Sequence, residues 1–140
     1  MLVDFLQSGL IISVLATAVR MGTILLLAAL GELIVERAGV LNLSVEGMML
    51  SGAFGGFLGA YYTNSLWLGV LSAIIAGLLV SALFGLLAVI LQIDQTVSGL
   101  TVNIFAAGLT FYLYRTLFPN VGAANIPALK PFSKFQIPSL

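Results

Sequence analysis

Residues 66–91 read LWLGVLSAIIAGLLVSALFGLLAVIL, without one charged side chain. A helix rises about 1.5 Å per residue, so roughly 20 apolar residues cross the 30 Å or so of a bilayer's hydrocarbon core. A helix on a water-soluble domain keeps a polar face; this run has none worth the name. Three further stretches, 9–30, 44–62 and 96–118, are of comparable length and character. The sequence therefore predicts an all-α polytopic membrane protein with about four transmembrane helices. Composition leads to the same place. The chain is 61% hydrophobic and 7% charged, against an apolar share of roughly 45–50% in soluble domains. Its mean hydropathy is +1.19, and a chain of 140 residues folded in water could not hide that much apolar surface.

The first run carries Arg20 near its middle. Its Leu, Ile and Val residues contribute about −0.3 to −0.6 kcal/mol each to insertion, which offsets the cost of about +2.5 to +3.5 kcal/mol for one central arginine. The run still inserts, and Arg20 is a buried-charge candidate that needs an acidic partner or a wet cavity. The opening MLVDFLQS has Asp4 where a signal peptide has basic residues, and its apolar continuation is too long for one. With no Cys and no His, disulfides, His- or Cys-based metal sites and Ser–His or Cys–His catalysis are excluded. No GxxxxGK[ST] motif occurs, so the chain carries no P-loop for ATP. A net charge of zero argues against nucleic acid as a partner. No cofactor is expected in this chain.

Against this background residues 36–46, ERAGVLNLSVE, concentrate charge and hydrogen-bonding groups between two apolar runs. Polar groups at membrane depth are costly and mark cavities or pathways, and transporters place sites at broken helices. A broken-helix segment is expected near residues 39–46. Asn42 and Ser44 are good N-cap residues for the second helix, and Glu46 in its first turn suits the helix dipole. Asn42, Ser44 and Glu46 are substrate-pathway candidates. Glu32 and Glu36, four apart, repel on a regular helix, and Arg37 relieves this.

Two further patterns concern packing. Gly69, Ala73, Gly77, Ser81 and Gly85 recur every four residues, and Gly52 and Gly56 form a shorter row. In lipid, small residues are the usual device for close helix approach. On the last run Thr96, Gly99, Asn103, Ala107, Thr110 and Tyr114 follow the spacing of one helical face. Asn103 is a fourth pathway candidate, although a membrane Asn more commonly serves an interhelical hydrogen bond.

ERAGVLNLSVEGMMLSGAF, together with DQTVSGLTVNIFAAGLT, resembles the permeases of ATP-binding-cassette importers for nucleosides, simple sugars and branched-chain amino acids, most closely the nucleoside type. In the second stretch Gln95, Ser98, Gly99, Asn103, Gly108 and Thr110 fall on that family's pattern, with Asp94 and Thr96 where Asn and Val are more usual. The resemblance implies the translocation-pathway subunit of an importer, for purine nucleosides or related simple sugars, in the cytoplasmic membrane of a bacterium. It implies a separate cytoplasmic ATPase subunit, a second permease subunit and an extracellular or periplasmic binding protein, with no enzymatic activity in this chain. Members of the family are longer. Residues 1–118 are accordingly expected to form part of a permease domain, its N-terminal half, and 119–140 a proline-containing loop cut before the next helix. The alternative from the residues alone is a small proton-coupled exporter or proton-conducting subunit using Glu46.

Charge counting sets Arg115, Lys130 and Lys134 against Arg37 and would place the tail in the cytoplasm; the resemblance places it outside. The latter is the expectation, because the charge bias is small. A cysteine introduced at Ser133 is then labelled by an impermeant thiol reagent on intact cells, and protection there would reverse the assignment.

Overall fold

The computed structural model describes residues 10–119, in four helices. Helix α1 spans Leu10–Arg37, α2 Val45–Thr63, α3 Leu66–Gly85 and α4 Gln95–Leu117; a π-helical turn, Leu86–Ile90, prolongs α3. No strand occurs among the described residues. Three of the helices are long and apolar enough to cross a membrane: α1, α3 with its π turn, and α4. The second expected span differs. It is a helix of 19 residues, but its glycines, Glu46 and terminal tyrosines leave it less apolar than the others. The loop expected at 119–140 lies, apart from Pro119, outside the described residues.

The chain divides into two units between Leu41 and Asn42. The first contains α1, which extends past the expected end at residue 30 to Arg37. Repulsion between Glu32 and Glu36 costs only about 0.2–0.5 kcal/mol, too little to stop a run of good helix formers, and Arg37 in the last turn suits the negative end of the dipole. The helix stops at Gly39, whose φ of +84° is open to glycine at no steric cost. There the Gly39 N–H donates to the Glu36 carbonyl at 2.9 Å and the Val40 N–H to the Val35 carbonyl at 3.3 Å, the bond pair of a Schellman cap. The helix runs unbroken through Arg20, which is exposed on it and forms no ion pair among the described residues.

In the second unit α2, α3 and α4 form a meander. Asn64, in the left-handed region at φ 52°, turns the chain between α2 and α3, a conformation that asparagine tolerates. The two helices then pack antiparallel with almost no side chain between them. A Cβ built on Gly69 would stand 2.8 Å from Ala60 Cβ and 3.0 Å from the Gly56 carbonyl oxygen. One on Gly56 would stand 3.1 Å from Ala73 Cβ, and one on Gly52 3.4 Å from the Ala73 carbonyl oxygen. This closeness lets the Ser72 hydroxyl donate across the interface to the Gly55 carbonyl at 2.9 Å. Such contacts replace the hydrophobic drive that lipid cannot supply.

The five-residue row on α3 meets α2 only over its first part. Gly77 is at the edge of contact, with the Met48 carbonyl 4.0 Å away; Ser81 is exposed, and Gly85 has open space around it. Gly77 is level with Met48, close to where α2 begins, and over the shared length Ser72 and Ala76 also pack against Gly55 and Gly59. Helix α4 runs parallel to α2. The aromatic rings of Phe57, Tyr61, Tyr114 and Phe118 close their C-terminal ends, with centroids 5.4–5.7 Å apart where Phe118 meets the other three.

The packing predicts contrasting outcomes for two glycines of one row. Gly69→Val should lower stability in detergent by about 1–3 kcal/mol, because backbone must move to admit the side chain. Gly85→Ala should be neutral or stabilising by up to about 1 kcal/mol, from helix propensity alone. Thermal unfolding followed by circular dichroism compares the two.

Candidate functional site

The N-terminus of α2 is where polar side chains of the second unit converge. Asn42 and Ser44 are 7% and 0% exposed although both belong to an irregular stretch of backbone. They hold each other: Asn42 Oδ1 accepts from the Ser44 N–H at 3.0 Å and from the Ser44 hydroxyl at 2.6 Å. The Asn42 amide group also donates to Met48 Sδ at 3.7 Å. This local ring changes the expected capping. Ser44 occupies the N-cap position, but its side chain makes no capping bond; its hydroxyl is turned back to donate to Asn42.

The capping oxygen comes from another helix. Asn103 Oδ1, on α4, accepts from the Gly47 N–H at 2.7 Å, and Gly47 is the third residue of α2, the position an N-cap side chain normally serves. The other end of the same amide donates to the Leu43 carbonyl at 2.8 Å. One side chain therefore satisfies a donor and an acceptor of the α2 entry, with both distances inside the range of good hydrogen bonds.

Two glycines admit this contact. A Cβ on Gly47 would stand 2.9 Å from Asn103 Oδ1 and 3.1 Å from Ala106 Cβ; one on Gly99 would stand 2.7 Å from Leu43 Cβ and 3.1 Å from its backbone. The buried face of α4 is consequently Ser98, Gly99, Val102 and Ala106, with Asn103 half-buried at its side. It is rotated from the expected face: Gly99 and Asn103 belong to it, whereas Thr96 and Ala107 are exposed. Sequence spacing groups residues by angle but does not say which row meets a neighbour, and here the missing Cβ of Gly47 draws in Ala106.

Axial position follows from the same pairs. Leu43 is level with Gly99 and Gly47 with Asn103, four and eight residues beyond Gln95, where α4 starts. At about 1.5 Å per residue the entry of α2 sits roughly 6 to 12 Å inside the end of α4. The irregular backbone is therefore level with the first two turns of α4. Asp94 fixes that end of α4: its Oδ1 accepts from the Thr96 and Val97 N–H groups at 2.9 and 3.0 Å. Sequence reading noted Asp94 but not this role, which its place before an apolar run could have signalled.

Glu46, in the first turn of α2, is exposed on this chain. The Ser98 hydroxyl is the reverse, 2% exposed and without a hydrogen-bond partner among the described residues. Thus Asn42, Ser44 and Asn103 come together within one hydrogen-bonded patch, with Glu46 on its open side. Arg20 belongs to the other unit. Among the described residues there is no cluster of His, Cys, Asp and Glu that could hold a metal.

A family model described as branched-chain amino acid transport system, permease component, matches residues 14–139. The chain is similar to the guanosine ABC transporter permease of Bacillus subtilis, 37% identical over 122 residues, which is 83% of this chain and 38% of that protein. It is similar to a Haloferax volcanii protein provisionally named a glucose ABC transporter permease, 47% identical over 98 residues, 70% of this chain and 30% of that one. A nucleoside ABC transporter permease of Lactococcus lactis is 28% identical over 130 residues, 83% of this chain and 41% of its own length. The chain thus spans well under half the length of these relatives. No solved structure matches it.

The geometry at Gly99 and Asp94 makes a paired prediction. Gly99→Ala should displace the Leu43 backbone and cost about 1–3 kcal/mol, whereas Asp94→Asn keeps a capping oxygen and should change stability by a few tenths of a kcal/mol at most. Unfolding in detergent by titrated SDS measures both.

Proposed function

This chain belongs to the branched-chain amino acid transport system permease family, and from that premise we propose that it lines the translocation pathway of an ATP-binding-cassette importer for nucleosides or a related simple sugar. The observation that carries the reading is a polar patch in an apolar bundle, with Asn42 and Ser44 buried and Glu46 exposed, where α2 begins level with the first two turns of α4. Amide, hydroxyl and carboxylate groups in an apolar setting suit a neutral solute rich in hydroxyls, which needs a few well-placed hydrogen bonds and no counter-charge. The names of the related proteins, glucose, guanosine and nucleoside permeases, share that chemistry: each of these solutes carries a sugar ring with vicinal hydroxyls.

In this reading Asn42 and Ser44 shape the wall, Glu46 presents the exposed carboxylate to the pathway, and Asn103 stands beside them. ATP is hydrolysed by a separate cytoplasmic ATPase subunit. A second permease subunit completes the pore, and a binding protein delivers the solute from outside the cytoplasmic membrane. The work of this chain is then a change between two pore shapes rather than covalent chemistry. The exporter alternative draws no support: Glu46 is exposed on this chain, where a proton-trading acid is expected to be enclosed.

Radiolabelled inosine uptake by the complete transporter tests the reading, with nucleosides, monosaccharides and branched-chain amino acids as competitors. Nucleosides, or nucleosides and sugars, should compete. Competition by amino acids alone would overturn the solute class.

A further inference from the structure

We infer that Asn103 is a positioning residue: from α4 it caps the start of α2 and so sets where the Asn42–Glu46 groups stand. The inference rests on the reading of those groups as pathway residues, but its geometry is independent of any solute.

Both ends of the Asn103 amide are committed to backbone. Its oxygen takes the Gly47 N–H at 2.7 Å and its nitrogen gives to the Leu43 carbonyl at 2.8 Å, so the two polar groups bracket the point where α2 starts. The local candidate for the capping role, Ser44, makes no capping bond and turns its hydroxyl to Asn42, and no other side chain accepts from the Gly47 N–H among the described residues. In a low-dielectric setting an unpaired donor or acceptor costs about 1–3 kcal/mol, so loss of the amide is felt at both atoms. The contact joins residues 56 and 60 positions apart, and the glycines at 47 and 99 hold the backbones close enough for it. A shift of α4 along its axis therefore carries the entry of α2 with it or breaks two hydrogen bonds. This couples α4 to the polar patch. Asn103 then acts on transport through Leu43 and Gly47 and not by touching solute.

Two substitutions separate these roles in the complete transporter, reconstituted in nanodiscs. Asn103→Leu removes both bonds at similar volume. Asn103→Asp keeps the oxygen for the Gly47 N–H, as a charge-assisted acceptor, and replaces the donor to Leu43 by a second oxygen that cannot donate to that carbonyl. Hydrogen exchange of the Gly47 amide should accelerate by about tenfold or more in N103L and stay near the native rate in N103D. Inosine uptake should follow the same order, with kcat falling in N103L and recovering substantially in N103D at equal amounts of transporter. Should N103L not accumulate, Asn103→Ala removes the same bonds without added bulk and carries the same expectation.

Unchanged Gly47 exchange in N103L or N103A would overturn the inference. So would equal loss of uptake in N103D and N103L with native exchange in both, the pattern of a direct solute contact. If the native transporter carries no nucleoside or sugar, the proposed function fails, while the exchange rates still decide whether Asn103 caps α2.

Discussion

In hydrocarbon every backbone N–H and C=O must find its partner within the protein, and the entry of α2 depends on how that demand is met. The first N–H groups of any helix lack partners within it. Here the demand is answered from two directions. The Asn42 side chain closes on Ser44, and the amide of Asn103 reaches from α4 to Gly47 and Leu43. Protein groups complete the irregular backbone, and the same arrangement gathers polar side chains at the entry of α2.

The rest of the bundle keeps that arrangement in register. Helices α2 and α3 meet through glycines and alanines, so their relative position is fixed by backbone contact, not by long side chains that could repack. The interhelical bond from Ser72 to Gly55 adds a polar fix midway along, and the aromatic cluster around Phe118 ties the far ends of α2 and α4. Asp94 sets where α4 begins. Errors at any of these points would be felt at the α2 entry as a displacement of about an ångström, enough to spoil hydrogen bonds of 2.7 and 2.8 Å.

The two units make different use of apolar sequence. Along α1 the Leu, Ile and Val side chains are exposed on nearly every face, as befits a helix that meets lipid. In the second unit Ala60, Ala88 and Ala106 share the buried positions with Phe84, Val102 and Phe118, while many of the Leu and Ile residues are exposed. Apolar side chains facing outward are what lipid as a solvent favours.

The sequence by itself determined the solvent and the elements: long apolar runs point to membrane helices, and the polar residues between 36 and 46 mark an interruption that opens at Gly39. It also carried the family, through ERAGVLNLSVEGMM and QTVSGLTVN, and the small-residue approach of α2 to α3 near Gly56 and Gly69. Tertiary structure alone decided which face of α4 is buried, that the row on α3 loses its partner after Gly77, and that the cap of α2 comes from Asn103. Ser44 and Asn42 both looked like caps, since each has a suitable oxygen next to the helix start. Which oxygen is used depends on the axial register and rotation of α4, quantities that a periodic pattern leaves free and that only the contact of Gly47 with Ala106 and Gly99 with Leu43 fixes.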